Sequence, residues 1–124
     1  MTIQKALDIT DELKANGMLK SLKIGFLSEL EGKLWREVFT QHADPPAEEC
    51  PEYDENTDTS TELLVPDHRA MVYVYWLESK IDEQDREWDE YNNHRALFQN
   101  AWEDFADEWR RNHMPVARCT RFIL

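Results

Sequence analysis

The chain has 124 residues and a mass of 14.8 kDa, the size of one ordinary domain. Hydrophobic residues make up 41% and charged residues 32%, with five Trp, five Phe and four Tyr, enough apolar surface for a small core and too much for a wholly disordered chain. A formal net charge of −12 gives a surface that repels a phosphate backbone and argues against ordinary duplex-DNA binding.

No apolar run reaches the roughly 18 residues of a membrane span, and Met1-Thr2-Ile3-Gln4-Lys5 lacks the basic-then-apolar layout of a signal peptide. Cys50 and Cys119 make no disulfide framework and point to a reducing compartment, so synthesis in the cytoplasm is expected.

From the N-terminus, Thr2 is placed to cap a first helix over about 3–15, which Asn16-Gly17 ends with a glycine stop. A second helix is expected from Ser21 to Gln41. Leu27, Leu30, Leu34 and Val38 recur there at three and four, and Phe26, Trp35 and Phe39 widen the stripe. Gly25 and Gly32 inside it mark close packing or weak spots.

Asp44-Pro45-Pro46 ends that helix, because proline cannot continue it and restricts the residue before it. From Asp44 to Asp67 the chain carries nine acids and no Lys or Arg, a long acidic loop. Within it, residues 61–65 are short, partly β-branched and bounded by Pro66, and read as either a strand or an extended strap over the helices.

Beyond Pro66, Met71, Val72, Val74, Tyr75, Leu77 and Ile81 are apolar nearly all round, so this helix should be the most buried. Trp88, Tyr91, Phe98, Trp102, Phe105 and Trp109 continue at three and four until Asn112. A single rod over 67–112 would exceed what a domain of this size can cover, so a break is expected near Gln84-Asp85, with Asp85 as N-cap of the last helix. The fold class is therefore all-α: a bundle of about four helices in one domain, 1–114, followed by an extended tail, 115–124.

Few residues offer chemistry. Asp54, Asn56, Asp58 and Glu62 occupy positions one, three, five and nine of a calcium loop, but Thr59 stands where the turn needs glycine and Val65 where a bidentate glutamate is needed. A polar loop is the better reading. The cysteines lack zinc spacing, and His42, His68, His94 and His113 pair with no Ser or Cys in a recognisable frame. His42 and His113, near helix ends, read as dipole partners. No catalytic residue, metal or cofactor is expected, and the chain does not read as an enzyme.

Two features point to partners. Trp88, Trp102 and Trp109 sit on an acidic helix and suit a subunit interface, where Trp is enriched. Trp109 to Leu124 carries Arg110, Arg111, Arg118 and Arg121 with no acid, and ends Phe122-Ile123-Leu124. This tail suits docking on an acidic, grooved partner through Arg118, Arg121, Phe122, Ile123 and Leu124.

Thr61-Glu62-Leu63-Leu64-Val65-Pro66, then Tyr73-x-Tyr75-Trp76-Leu77-x-x-x-Ile81-Asp82, then Tyr91-Asn92-Asn93 with Phe98, Phe105 and a closing His113-x-Pro115, form a pattern over most of the chain. Leu22-Lys23-Ile24-x-Phe26-Leu27-Ser28-Glu29-Leu30-x-Gly32 adds to it. The pattern resembles the small helical head–tail connector, or adaptor, proteins of tailed bacteriophages. It departs from them at Gln84-Asp85-Arg86-Glu87, where a turn-forming Asn-Gly is usual.

The resemblance implies a structural virion protein at the head–tail neck, in a homo-oligomeric ring of about twelve copies beneath the portal protein. It also implies neighbouring tail or stopper proteins, a C-terminal segment reaching to adjacent subunits or the portal, and DNA passing without sequence-specific binding. No membrane partner is expected. An acidic channel would let DNA slide without sticking. The competing reading is an acidic DNA mimic or inhibitor that blocks a host nucleic-acid-binding enzyme; it would be a monomer or dimer rather than a ring.

Overall fold

The computed structural model describes residues 1–115. It is all-α, with helices α1 (Ile3–Leu13), α2 (Lys20–Glu37), α3 (Met71–Asp85) and α4 (Trp88–Asn112), and 3-10 turns at Phe39–Gln41 and Asp67–Arg69.

Thr2 caps α1 as expected, its hydroxyl oxygen accepting from the Lys5 amide at 3.1 Å. Ile3, Ala6, Leu7 and Thr10 form the buried face at helical spacing. The end of α1 differs from the expected glycine stop. The helix closes at Leu13 with Lys14 extended, and no glycine among the described residues has a positive φ. Asn16 makes the turn instead, its side chain donating to the Lys14 carbonyl at 2.9 Å and accepting from the Met18 amide at 3.1 Å.

Helix α2 buries Ile24, Leu27, Leu30 and Leu34, and Val38 and Phe39 prolong the stripe. It is shorter than expected: regular helix stops at Glu37, and Phe39–Gln41 tighten into a 3-10 turn, a common helix ending. The two glycines part company. A Cβ on Gly32 would stand 3.1 Å from the Arg36 guanidinium and 3.6 Å from Cys50 Sγ, whereas one on Gly25 would meet nothing within 4 Å.

The acidic segment after Asp44 is a strap and not a strand. Among the described residues its only ladder contact is an isolated bridge between Glu62 and Thr2. Among the described residues four hydrogen bonds pin it to α2: Trp35 Nε1 donates to the Ala47 carbonyl at 3.2 Å, the Tyr53 amide to Ser28 Oγ at 2.9 Å, and Tyr53 Oη at 2.9 Å and the Leu64 amide at 3.0 Å to the Glu31 carboxylate. Leu63 and Val65 turn inward and are buried.

Helix α3 is the central one, burying Val72, Tyr73, Val74, Trp76, Leu77, Ser79 and Ile81 on several sides. Residues 67–112 form a hairpin, as anticipated, but Asp85 is the last residue of α3 and not the cap of α4. Arg86 adopts the left-handed conformation at φ 58°, and its N–H reaches the Asp82 and Glu83 carbonyls. Glu87 is the cap residue of α4, without a side-chain hydrogen bond. Phe98, Phe105 and Ala106 form the inner stripe of α4 against one continuous core that runs from Ile3 to Ala106. His42 and Pro115 form a second isolated bridge, which ties the end of α4 to the chain leaving α2.

Candidate functional site

Of the three tryptophans expected at an interface, Trp88 is 55% exposed, touching Tyr91 edge-on at a centroid distance of 5.7 Å. Trp102 is half-buried, with the Lys33 ammonium 5.2 Å from its ring centre. Trp109 is engaged within the fold: it meets Phe39 edge-on at 4.7 Å and stacks on His113 at 3.7 Å. Trp88→Ser should therefore change the unfolding free energy by less than about 0.5 kcal/mol in a urea melt. A larger loss would show that Trp88 serves the fold rather than a partner. Arg118, Arg121, Phe122, Ile123 and Leu124 lie outside the described residues.

The other histidines and the acidic loop have local duties. His42 Nδ1 lies 2.8 Å from the Val38 carbonyl and His113 Nδ1 3.0 Å from that of Trp109, in keeping with their expected place at helix C-termini. In the loop, Asp54 Oδ1 accepts from the Asn56 amide at 2.8 Å, and Asp58 Oδ1 from the Ser60 amide at 2.9 Å and hydroxyl at 2.8 Å. These are turns closed by their own side chains.

The densest ionisable cluster went unread in the sequence. It sits where the α3–α4 hairpin turns beside the end of α1. Asp82 and Glu78, one helical turn apart on α3, face Glu90 and His94, one turn apart on α4. His94 Nδ1 stands 2.5 Å from Asp82 Oδ2, and its Nε2 3.1 Å from Glu78 Oε2. Lys14 Nζ reaches in from α1, 2.9 Å from Asp82 Oδ1, 2.9 Å from Glu90 and 3.0 Å from Glu87.

Burial separates the members. The Asp82 side chain is 0% exposed and that of Glu78 7%, while Glu87 and Glu90 are open to solvent. Burial raises the Glu78 carboxyl above its usual range, against the pull of His94. For Lys14 burial acts downward, but the close Asp82, Glu90 and Glu87 carboxylates outweigh it and raise its pKa. Asp82, Glu90 and His94 each offer a ligand atom, all within 4.8 Å of one another, so these three could hold a metal ion. The sequence signal was a pair of i, i+4 ligands on consecutive helices, hidden because the hairpin break alone brings them together.

A third buried carboxylate, Glu31 on α2, accepts from Tyr73 Oη at 2.5 Å, Tyr53 Oη at 2.9 Å and the Leu64 amide at 3.0 Å. Every partner is held in a packed element, which marks this as framework.

The geometry defines an all-α protein with a helical hairpin at its centre and an acidic surface. Comparison with protein-family models, curated proteins and solved structures finds no match to this chain.

Proposed function

We propose that the chain is a structural subunit of a phage head–tail connector ring that binds below the portal and forms part of the DNA conduit. The observation that carries this reading is how the resemblance pattern falls on the fold. Leu63 and Val65 of the strap, Tyr73, Trp76, Leu77 and Ile81 of α3, and Phe98 and Phe105 of α4 are all buried framework positions. Glu62, Pro66, Asn92 and Asn93 of the pattern face solvent, so its buried members are the part that supports a shared architecture.

Charge adds support. All 26 acidic side chains lie within residues 1–115, whereas Trp109 to Leu124 is wholly basic. An acidic body with a basic, apolar-tipped end is suited to head-to-tail contacts, which close into rings when the rotation allows. Exposed Leu19 and Trp88 add apolar surface to such contacts.

The test is the mass of the purified chain in solution with negative-stain images, with and without portal protein. A ring is expected, and deleting residues 116–124 should leave the melting temperature nearly unchanged, since the core among the described residues is built from Ile3 to Ala106 with Trp109 packed against it, while assembly fails. High salt should weaken the full-length assembly. A persistent monomer or dimer that competes with DNA for a host enzyme would overturn the reading in favour of an acidic mimic. Salt-insensitive assembly by the truncated chain would remove the tail from the mechanism.

A further inference from the structure

We propose that Asp82, Glu90 and His94 form a binding site for one divalent cation of the zinc class, and that the Lys14 ammonium holds the cation position when no metal is bound. The site needs none of the contacts invoked for ring assembly, although Glu87 and Glu90 flank Trp88 in the chain, and it stands or falls without that reading.

Three observations carry it. The first is charge. Glu78, Asp82, Glu87 and Glu90 converge on Lys14 and His94, so acids outnumber bases by at least two even with the imidazole protonated. Glu87 and Glu90 hold their part of this excess in water, but beside the fully buried Asp82 it favours entry of a further cation.

The second is an unmet acceptor. Asp82 Oδ1 has no hydrogen bond, although Lys14 Nζ stands 2.9 Å away; the contact is an ion pair without hydrogen-bond angles. A buried carboxylate oxygen that lacks a directed donor is suited to a metal, which demands no donor geometry.

The third is the imidazole. Both ring nitrogens of His94 face carboxylates, Asp82 on one side and Glu78 on the other. A neutral ring has one N–H, so one nitrogen then points its lone pair at a carboxylate. A metal taken by that lone pair relieves the clash and binds Asp82 Oδ1 as well.

The ligand set selects the metal. One imidazole nitrogen with two carboxylate oxygens suits zinc and its transition-metal neighbours, whereas calcium and magnesium call for oxygen alone. Lys14 lies against three oxygens at 2.9–3.0 Å, and zinc would draw its ligands in to about 2.0–2.2 Å. Glu90 is exposed and free to follow, while Lys14 ends a helix on a flexible stem that can swing to water. The remaining His94 nitrogen would keep a carboxylate partner, the usual orienting contact for a metal-bound imidazole.

Titration calorimetry of the full chain with Zn²⁺ at pH 7 tests this, with Co²⁺ absorption spectra reporting ligand geometry. One ion per chain at micromolar affinity or tighter is expected, and His94→Gln should weaken it by at least about tenfold. Lys14→Met should tighten binding, because the ammonium no longer competes, and this arm does not depend on Asp82 variants folding. His68→Gln, at an exposed histidine paired with Glu108, should change nothing. No saturable binding by wild type and Lys14→Met alike would overturn the site and leave the cluster as an ion-pair network. So would binding indifferent to His94→Gln. Weaker binding by Lys14→Met would overturn the role given to the ammonium.

Discussion

Leu30→Ala and Leu77→Ala should each lower the unfolding free energy by about 2–5 kcal/mol, read from urea melts of the separate variants. Both side chains are 0% exposed, one on the inner stripe of α2 and the other at the middle of α3. Truncation removes three heavy atoms' worth of apolar contact and leaves a cavity that packed neighbours fill only in part. Domains of this size are stable by about 5–15 kcal/mol, so either change takes a large share of the whole. If both variants melt like the wild type, α2 and α3 do not share the core as described.

That prediction was legible in the sequence, because burial at three- and four-residue spacing is a local signal. Leu27, Leu30, Leu34 and Val38 announced the inner face of α2, and all four are buried. The nearly all-apolar run after Met71 announced the central helix for the same reason. What failed were the ends. Asn16, rather than Gly17, turns the chain after α1 through its own side chain, and side-chain turns compete closely with glycine turns in a sequence. Arg86 takes a left-handed conformation that non-glycine residues adopt at a cost of about 1–2 kcal/mol, so no turn residue marked the hairpin, and the break near Gln84-Asp85 followed from chain length while the cap was misplaced at Asp85. Packing of α4 against α3 supplies what the turn lacks.

The candidate site was hidden by the same limit. Asp82 and His94 are twelve positions apart across that unmarked turn, and Lys14 is farther still. Each reads alone as a solvated charge, and only the hairpin and the end of α1 bring them into one cluster. Glu31 was equally silent: within α2 it looks like a surface acid, yet its position on the Leu27–Leu34 face is inward.

Glu31 carries the second large expectation. Glu31→Ala should lower stability by about 3–5 kcal/mol, since it strips the acceptor from two phenols and the Leu64 amide in the interior. Glu31→Gln, which keeps one acceptor oxygen, should cost less. The same residue sets a pH dependence. Burial raises the Glu31 carboxyl above its ordinary value near 4.5, outweighing the hydrogen bonds from Tyr73, Leu64 and Tyr53 that act downward. The folded chain thus holds this proton more tightly than the unfolded chain does. The resulting stabilisation is complete below the unfolded value and is lost as pH rises through the folded one. Glu78 is raised in the same sense, so the wild-type curve alone does not isolate Glu31. The difference does: melts of wild type and Glu31→Gln across about pH 4 to 8 should show wild-type stability falling with pH relative to the variant. Parallel curves would mean that Glu31 ionises in the fold as it does in water, and that its three donors, not its burial, govern the site.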